Sequence, residues 1–160
     1  MAGGSLLHPA AMAAVALLLL NDHVLKATSP GLLTGKLSDF AGLAFFPLVL
    51  VSAWELATAA AGRWRGPSTG PLAVATLATA AVFISAKASA PANAAVEAAL
   101  GWLQWVAASP LAALGLTAHP VYRPAVMVQD PSDLVALAAL AVCLFIGRSR
   151  IASSHQWGNQ

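Results

Sequence analysis

At 160 residues with 59% hydrophobic and 9% charged side chains, the chain carries well under half the charge of a soluble domain, for which about 25% is usual. That excludes an ordinary water-soluble globule. A net charge of +2, from 8 basic and 6 acidic residues, is too sparse for the basic stripe that nucleic acid requires, so no nucleic-acid partner is expected.

The first apolar run, about 6–26, has no basic stretch ahead of it and flows into Asn-Asp-His-Val-Leu-Lys instead of a small-residue cleavage site. It therefore reads as a membrane helix and not as a secretory signal. Pro9 suits its first turn, where the amide proton that proline lacks has no helical partner anyway. Thr-Ser-Pro-Gly at 28–31 signals a tight reversal. A second span follows over about 36–61, with Pro47 expected to kink it. Gly62–Pro71 is a loop by its glycines and prolines, and Trp64 beside Arg63 and Arg65 suits the membrane interface. The third span covers about 72–89 and carries Lys87 in its last turn, before Ala-Pro-Ala-Asn stops it.

Residues 94–108 have helical composition, with Glu97, Gly101 and Gln104 on one stripe and Trp102 and Trp105 on other faces. This pattern suits a helix lying in the interface or re-entering it better than a span. Pro110, Pro120 and Pro124 make the next stretch irregular. The last span, about 131–147, starts at Asp130-Pro131-Ser132-Asp133 and is closed by Arg148 and Arg150, with 151–160 expected as a flexible polar tail. Cys143 lies within it; a lone cysteine excludes an internal disulfide, and it reads as a small packing residue. Abundant Ala, Gly and Ser favour close helix approach, as along Gly35, Asp39 and Gly42. The expected fold is all-α: a polytopic membrane helix bundle in one domain over 1–150, with four transmembrane helices plus an interfacial or re-entrant helix.

Alternation of four spans puts Asp22, His23, Lys26, Lys36, Asp39, Lys87, Asp130 and Asp133 on one side and Arg63, Arg65, Arg148 and Arg150 on the other. Basic residues alone tie, because Lys26, Lys36, Lys87 and Arg123 balance the arginines. The lysines lie among acids that can hold them in a network, so the arginine side is assigned to the cytoplasm with both termini. The acid-lysine cluster then faces outward from a bacterial inner membrane. Asp39, Asp133, Lys26 and Lys87 obey the helix-dipole rule, and Asp130 makes an N-cap before Pro131. Asp22 and Lys36 oppose the local dipole and need partners, for which Lys26 at i+4 and Asp39 at i+3 are in reach.

Ionisable groups at the edge of membrane segments are site candidates, because they are costly unless they face a wet cavity or one another. His23 adds an imidazole, the side chain suited to proton exchange in proteins. His8, His119 and His155 are too scattered to form a metal spacing with it, and no His-Glu-x-x-His, Cys-x-x-Cys, phosphate loop or Gly-x-Ser-x-Gly pattern occurs. No metal or cofactor is expected, and no catalytic residue is assigned. Glu55 is expected to meet Arg63 or Arg65 or to snorkel, and carries no assigned role.

At Asn-Asp-His-Val-Leu-Lys, Thr-Gly-Lys-Leu-Ser-Asp-Phe-Ala-Gly-Leu, Leu-Gly-Trp-Leu-Gln-Trp and Asp-Pro-Ser-Asp-Leu-Val-Ala-Leu the chain resembles small bacterial membrane proteins of unassigned function. A weaker resemblance is to the VanZ-like family, linked to glycopeptide resistance, whose second span opens with Asp-Lys-x-x-His-Phe. Lys36 and Phe40 match that motif, Gly35 and Asp39 replace its Asp and His, and Arg123, Asp130 and Asp133 loosely follow a second pattern of spaced Arg and Asp.

The leading functional expectation is recognition of an anionic lipid headgroup or other small polar ligand at the outer face. Lys26, Lys36 and Lys87 would serve as phosphate or carboxylate partners, with Asp22, His23 and Asp39 available for proton transfer. Whether this is binding or catalysis stays open. One alternative is a structural subunit that docks a partner membrane protein or a second copy, using small-residue stripes and the Trp102 and Trp105 segment. Another is a small ion or proton transporter using Asp22, Asp39 and Glu55, ranked lower because the third and fourth spans offer almost no polar groups between their ends.

Overall fold

A computed structural model describes residues 1–29 and 31–157, and all regular structure among them is helical. After a 3-10 turn over Gly4–Leu7 come α1 (Pro9–Leu20), a π-helical turn (Asn21–Leu25) and the short α2 (Lys26–Thr28). Next are α3 (Leu32–Ala60), α4 (Thr69–Ala88) and α5 (Ala90–Ala113). A 3-10 stretch over Pro131–Ala139 leads into α6 (Leu140–Trp157). Pro30, within the expected reversal, and residues 158–160 of the expected tail lie outside the described residues.

Among the described residues four stretches are long and apolar enough to cross a membrane: Pro9–Thr28, Leu32–Ala60, Thr69–Ala88 and Pro131–Ser154. The shortest has 20 residues, which at about 1.5 Å rise per residue matches a hydrocarbon core of about 30 Å. Large apolar side chains on these stretches stay exposed, among them Met12, Leu19, Trp54, Leu77 and Phe145. An apolar surface of that kind on every span suits lipid and not water. The chain is a multi-pass, all-α membrane protein, and α5 is not among its four spans.

Two compact units divide the chain, the first formed by residues up to 81 together with those from 133 onward and the second by Val82–Ser132. In the first, α3 packs against α1 and α6, and the Gly4–Leu7 turn rests on α3 and α6. Its core joins Ala11 of α1, Leu48 and Val51 of α3, Leu72 and Ala75 of α4, and Cys143 and Ile146 of α6. α3 runs unbroken through Pro47, which is fully buried. One tight approach is at Gly147, whose absent Cβ would lie 2.6 Å from Leu72 Cδ1. The stripe expected at Gly35 and Gly42 is different, with nothing among the described residues within 4 Å of either Cβ position. Gly147→Val should therefore lower the melting temperature in detergent, with overpacking costing about 1–3 kcal/mol. Gly42→Ala should leave it unchanged or slightly raised by helix propensity. Equal melting temperatures for Gly147→Val and Gly42→Ala would show that the α4–α6 contact is loose.

The second unit is a helix with a strap. α5 ends at Ala113, and just beyond it Gly115 has a φ of 72°, the left-handed conformation that glycine adopts freely. The chain then returns along α5 in the opposite direction. Trp105 Nε1 donates to the Pro120 carbonyl (3.2 Å), Ala125 N to the Glu97 carbonyl (2.9 Å), and Met127 N to Glu97 Oε1 (2.7 Å). Asn93 Nδ2 donates to the Met127 carbonyl (3.4 Å). Pro120 and Pro124 hold the strap extended, and an extended segment without a sheet must find its backbone partners elsewhere. The stripe facing it is Asn93, Glu97, Gly101 and Trp105, at successive i+4 positions. The expected stripe shared Glu97 and Gly101, and its next member facing the strap is Trp105, which donates to the Pro120 carbonyl, in place of Gln104.

Candidate functional site

Two ion pairs connect to the first turns of α3, one through Ser38 and one through Lys36. The first involves the π-helical turn that ends α1. Asn21 is fully buried there, and its Nδ2 donates to the Thr34 carbonyl and to Ser38 Oγ, each at 2.7 Å. Ser38 Oγ donates in turn to Asp22 Oδ1 (2.8 Å), which also takes the ammonium of Lys26 at 2.7 Å. A continuous chain of hydrogen bonds thus runs from a buried backbone carbonyl to a half-exposed ion pair. Asp22 sits against the dipole of α1, and Lys26 and Ser38 together supply the compensation that position requires. Asn21 Oδ1, by contrast, is buried without a hydrogen-bond partner among the described residues. Native structures keep few such atoms, and π-helical turns concentrate at functional positions.

The second pair is Lys36 Nζ to Asp133 Oδ1 at 2.7 Å, with side chains 28% and 9% exposed. It ties α3 to the 3-10 stretch before α6. Because α3 begins at Leu32 and not at Lys36, Lys36 lies beyond the first turn, where the helix dipole opposes it less than expected. Thr34, Lys36, Ser38 and Asp39 fall within six consecutive residues, about 7.5 Å of helix rise, so both pairs lie at one end of α3.

Other members of the expected cluster are placed differently. His23 is exposed, and its Nδ1 lies 3.0 Å from the Leu19 carbonyl one turn back, so in the neutral ring Nδ1 carries the proton and Nε2 accepts. Asp39 is partly buried on α3. Lys87 and Asp130 belong to the second unit. Lys87 is buried, donates to the Val128 carbonyl (3.0 Å) and lies 5.5 Å from the Phe83 ring centroid. Asp130 Oδ1 accepts from Ser132 N at 2.8 Å, the expected cap. Among the described residues no group of three His, Cys, Asp or Glu side chains converges as metal ligands would.

A third charged node is not visible in the sequence. Glu55, 3% exposed, meets Arg150 of α6, whose Nη1 lies 3.2 Å from Oε1 and 3.3 Å from Oε2. Glu55 therefore meets neither Arg63 nor Arg65. Its Oε2 also accepts from Gly3 N (2.8 Å), while Arg150 donates to Ser5 Oγ through Nη1 and to the Met1 carbonyl through Nη2 (2.9 Å). One signal points to this node: a carboxylate inside a span needs a cation. Four arginines lie in range by depth, and proximity in sequence favours the wrong two. The chain matches no protein-family model, no curated protein and no solved structure.

Proposed function

We propose that this protein binds a small polar headgroup at the end of α3 that carries Asn21, Asp22, Lys26, Lys36 and Asp133. The carrying observation is the buried Asn21 carbonyl oxygen left without a partner among the described residues at a π-helical turn, beside an ion pair whose side chains are 42% and 41% exposed. Charge balance narrows the ligand. Each of Lys26 and Lys36 already faces a carboxylate, so a simple anion would have to displace an acid, whereas a phosphate that also carries an ammonium group satisfies both signs. Phosphoethanolamine belongs to that class. Assignment to a bacterial inner membrane with cytoplasmic termini belongs to the same proposal and rests on Arg63, Arg65, Arg148 and Arg150 at the far end of the spans. So does kinship with VanZ-like proteins, which rests on Lys36 and Phe40.

Asp22→Asn with Lys26→Gln removes a half-exposed pair, so folding stability should change by no more than about 1 kcal/mol. The same variant should lose the rise in melting temperature that phosphatidylethanolamine, but not phosphatidylcholine, gives the parent in detergent micelles. A parent indifferent to phosphatidylethanolamine, or a variant that keeps the response, would end this reading. The second reading is a purely structural lock, favoured by Lys36 and Asp133 joining α3 to the 3-10 stretch. On that reading Lys36→Gln lowers stability by about 1.5–3 kcal/mol, as for a lost charged hydrogen bond, and phosphatidylethanolamine leaves the parent unchanged.

A further inference from the structure

At the other end of α3, the Glu55–Arg150 node borders a cavity of about 410 Å³ whose walls include His8, Pro67, Ser149, Arg150, Ser153 and Ser154. We propose that this cavity binds a phosphate ester bearing free hydroxyl groups, such as a phosphoglycerol unit. It is separate from the headgroup site proposed above and does not depend on it.

Arg150 is the anchor. A guanidinium has five N–H donors, and Glu55, Ser5 and the Met1 carbonyl take up three, all from Nη1 and Nη2. One N–H of Nη2 and the Nε–H therefore have no partner among the described residues. These contacts hold the side chain in place, with 17% of it exposed, so little rotamer freedom is lost when the remaining donors meet phosphate oxygens. Gly4 leaves room around them, since a Cβ there would come within 3.2 Å of Nη2 and 3.6 Å of Nε.

His8 supplies a further donor. Its Nδ1 accepts from Ala10 N at 3.2 Å as the cap of α1, so the neutral ring carries its proton on Nε2. Glu55 cancels the charge of Arg150, but Arg63, Arg65 and Arg148 are exposed and have no ion pair among the described residues. They stand close in sequence to Pro67 and Ser149 of the cavity wall, and three uncompensated charges raise the local concentration of anions. The serines have the complementary role. Ser149, Ser153 and Ser154 each donate to a helix carbonyl, those of Phe145, Ser149 and Ile151. Their oxygens are left as acceptors, which suits ligand hydroxyls. A bare phosphate would use the donors only.

Such an ester could be a lipid headgroup or a free metabolite, and the test separates them. The full chain is purified in a neutral detergent, and its melting temperature is measured with phosphatidylglycerol, phosphatidylcholine, glycerol 3-phosphate or inorganic phosphate. Phosphatidylglycerol or glycerol 3-phosphate should raise it by several degrees, and whichever acts identifies the source; phosphatidylcholine and inorganic phosphate should do less. Arg150→Lys keeps a cation for Glu55 but loses the planar fork, and His8→Asn keeps a good helix cap but loses Nε2–H. Both should lose most of the shift, and should Arg150→Lys not fold, His8→Asn alone decides. The variant Asp22→Asn with Lys26→Gln should keep the shift in full. Absence of any shift in the parent, retention of it in His8→Asn, or its loss in the Asp22 and Lys26 variant would overturn the proposal.

Discussion

Glu55→Ala should destabilise the folded protein by about 3–5 kcal/mol, the cost of leaving one member of a buried ion pair without the other. The carboxylate serves several partners at once. Without it Arg150 has neither carboxylate oxygen to donate to, Gly3 N has no acceptor, and the Gly4–Leu7 turn is no longer linked to α3 through that side chain. Arg150→Ala should cost a similar amount, because Glu55 is then left 3% exposed without its cation. Replacing both residues by glutamine should be milder than the sum of the two single changes, since no buried charge remains. Reversible unfolding in mixed detergent micelles, analysed as a double-mutant cycle, measures this coupling. Single variants within about 1 kcal/mol of the parent would mean that the pair is hydrated and weak.

The second large effect is expected at Gly101. A Cβ there would meet backbone, the Arg123 carbonyl and, at 2.8 Å, Pro124 Cα. Backbone cannot step aside as a side-chain tip does, so Gly101→Val should lift the 120–129 strap from α5. A lifted strap no longer reaches Glu97, Asn93 and Trp105, which hold its backbone groups. Amide hydrogen exchange at Ala125 and Met127 should accelerate strongly, because those N–H groups have Glu97 as acceptor. Glu97→Ala should speed exchange at Met127 most, by about 1.5–3 kcal/mol of lost protection for a hydrogen bond to a charged acceptor. Glu97→Gln keeps an acceptor and should have a smaller effect. Unchanged exchange in Gly101→Val would show that the strap is held from elsewhere.

The charged groups show where sequence reasoning carries and where it stops. Asp22 and Lys26 are four apart on one helical stretch, and Asp130 stands two residues before the amide it caps, so local geometry alone predicts both contacts. The same reasoning gives no hint of the contact that Lys36 makes at 2.7 Å with Asp133, 97 residues away. For Glu55 it points to Arg63 and Arg65, and the carboxylate instead takes Arg150, 95 residues away. A charge inside a membrane protein must find its partner, so the need is legible while the choice among several partners is not.

Low charge and four long apolar runs settle the class before any fold is known. An all-α, multi-pass membrane protein is the outcome, because each backbone polar group in lipid has to be satisfied within its own helix. The Asn-Asp-His-Val-Leu-Lys stretch is likewise marked as exceptional by its residues alone. The folded chain was needed to show that this stretch is a π-helical turn whose Asn21 oxygen has no partner among the described residues. It was needed also to show that Gly101 and Gly147, and not Gly35 and Gly42, are the points of close approach, and that Arg150 stands at a cavity wall. The physical reason is common to all three. Hydropathy and helical period depend on neighbours within a turn or two, whereas a long-range ion pair, a glycine crossing and a cavity depend on which faces of distant helices meet.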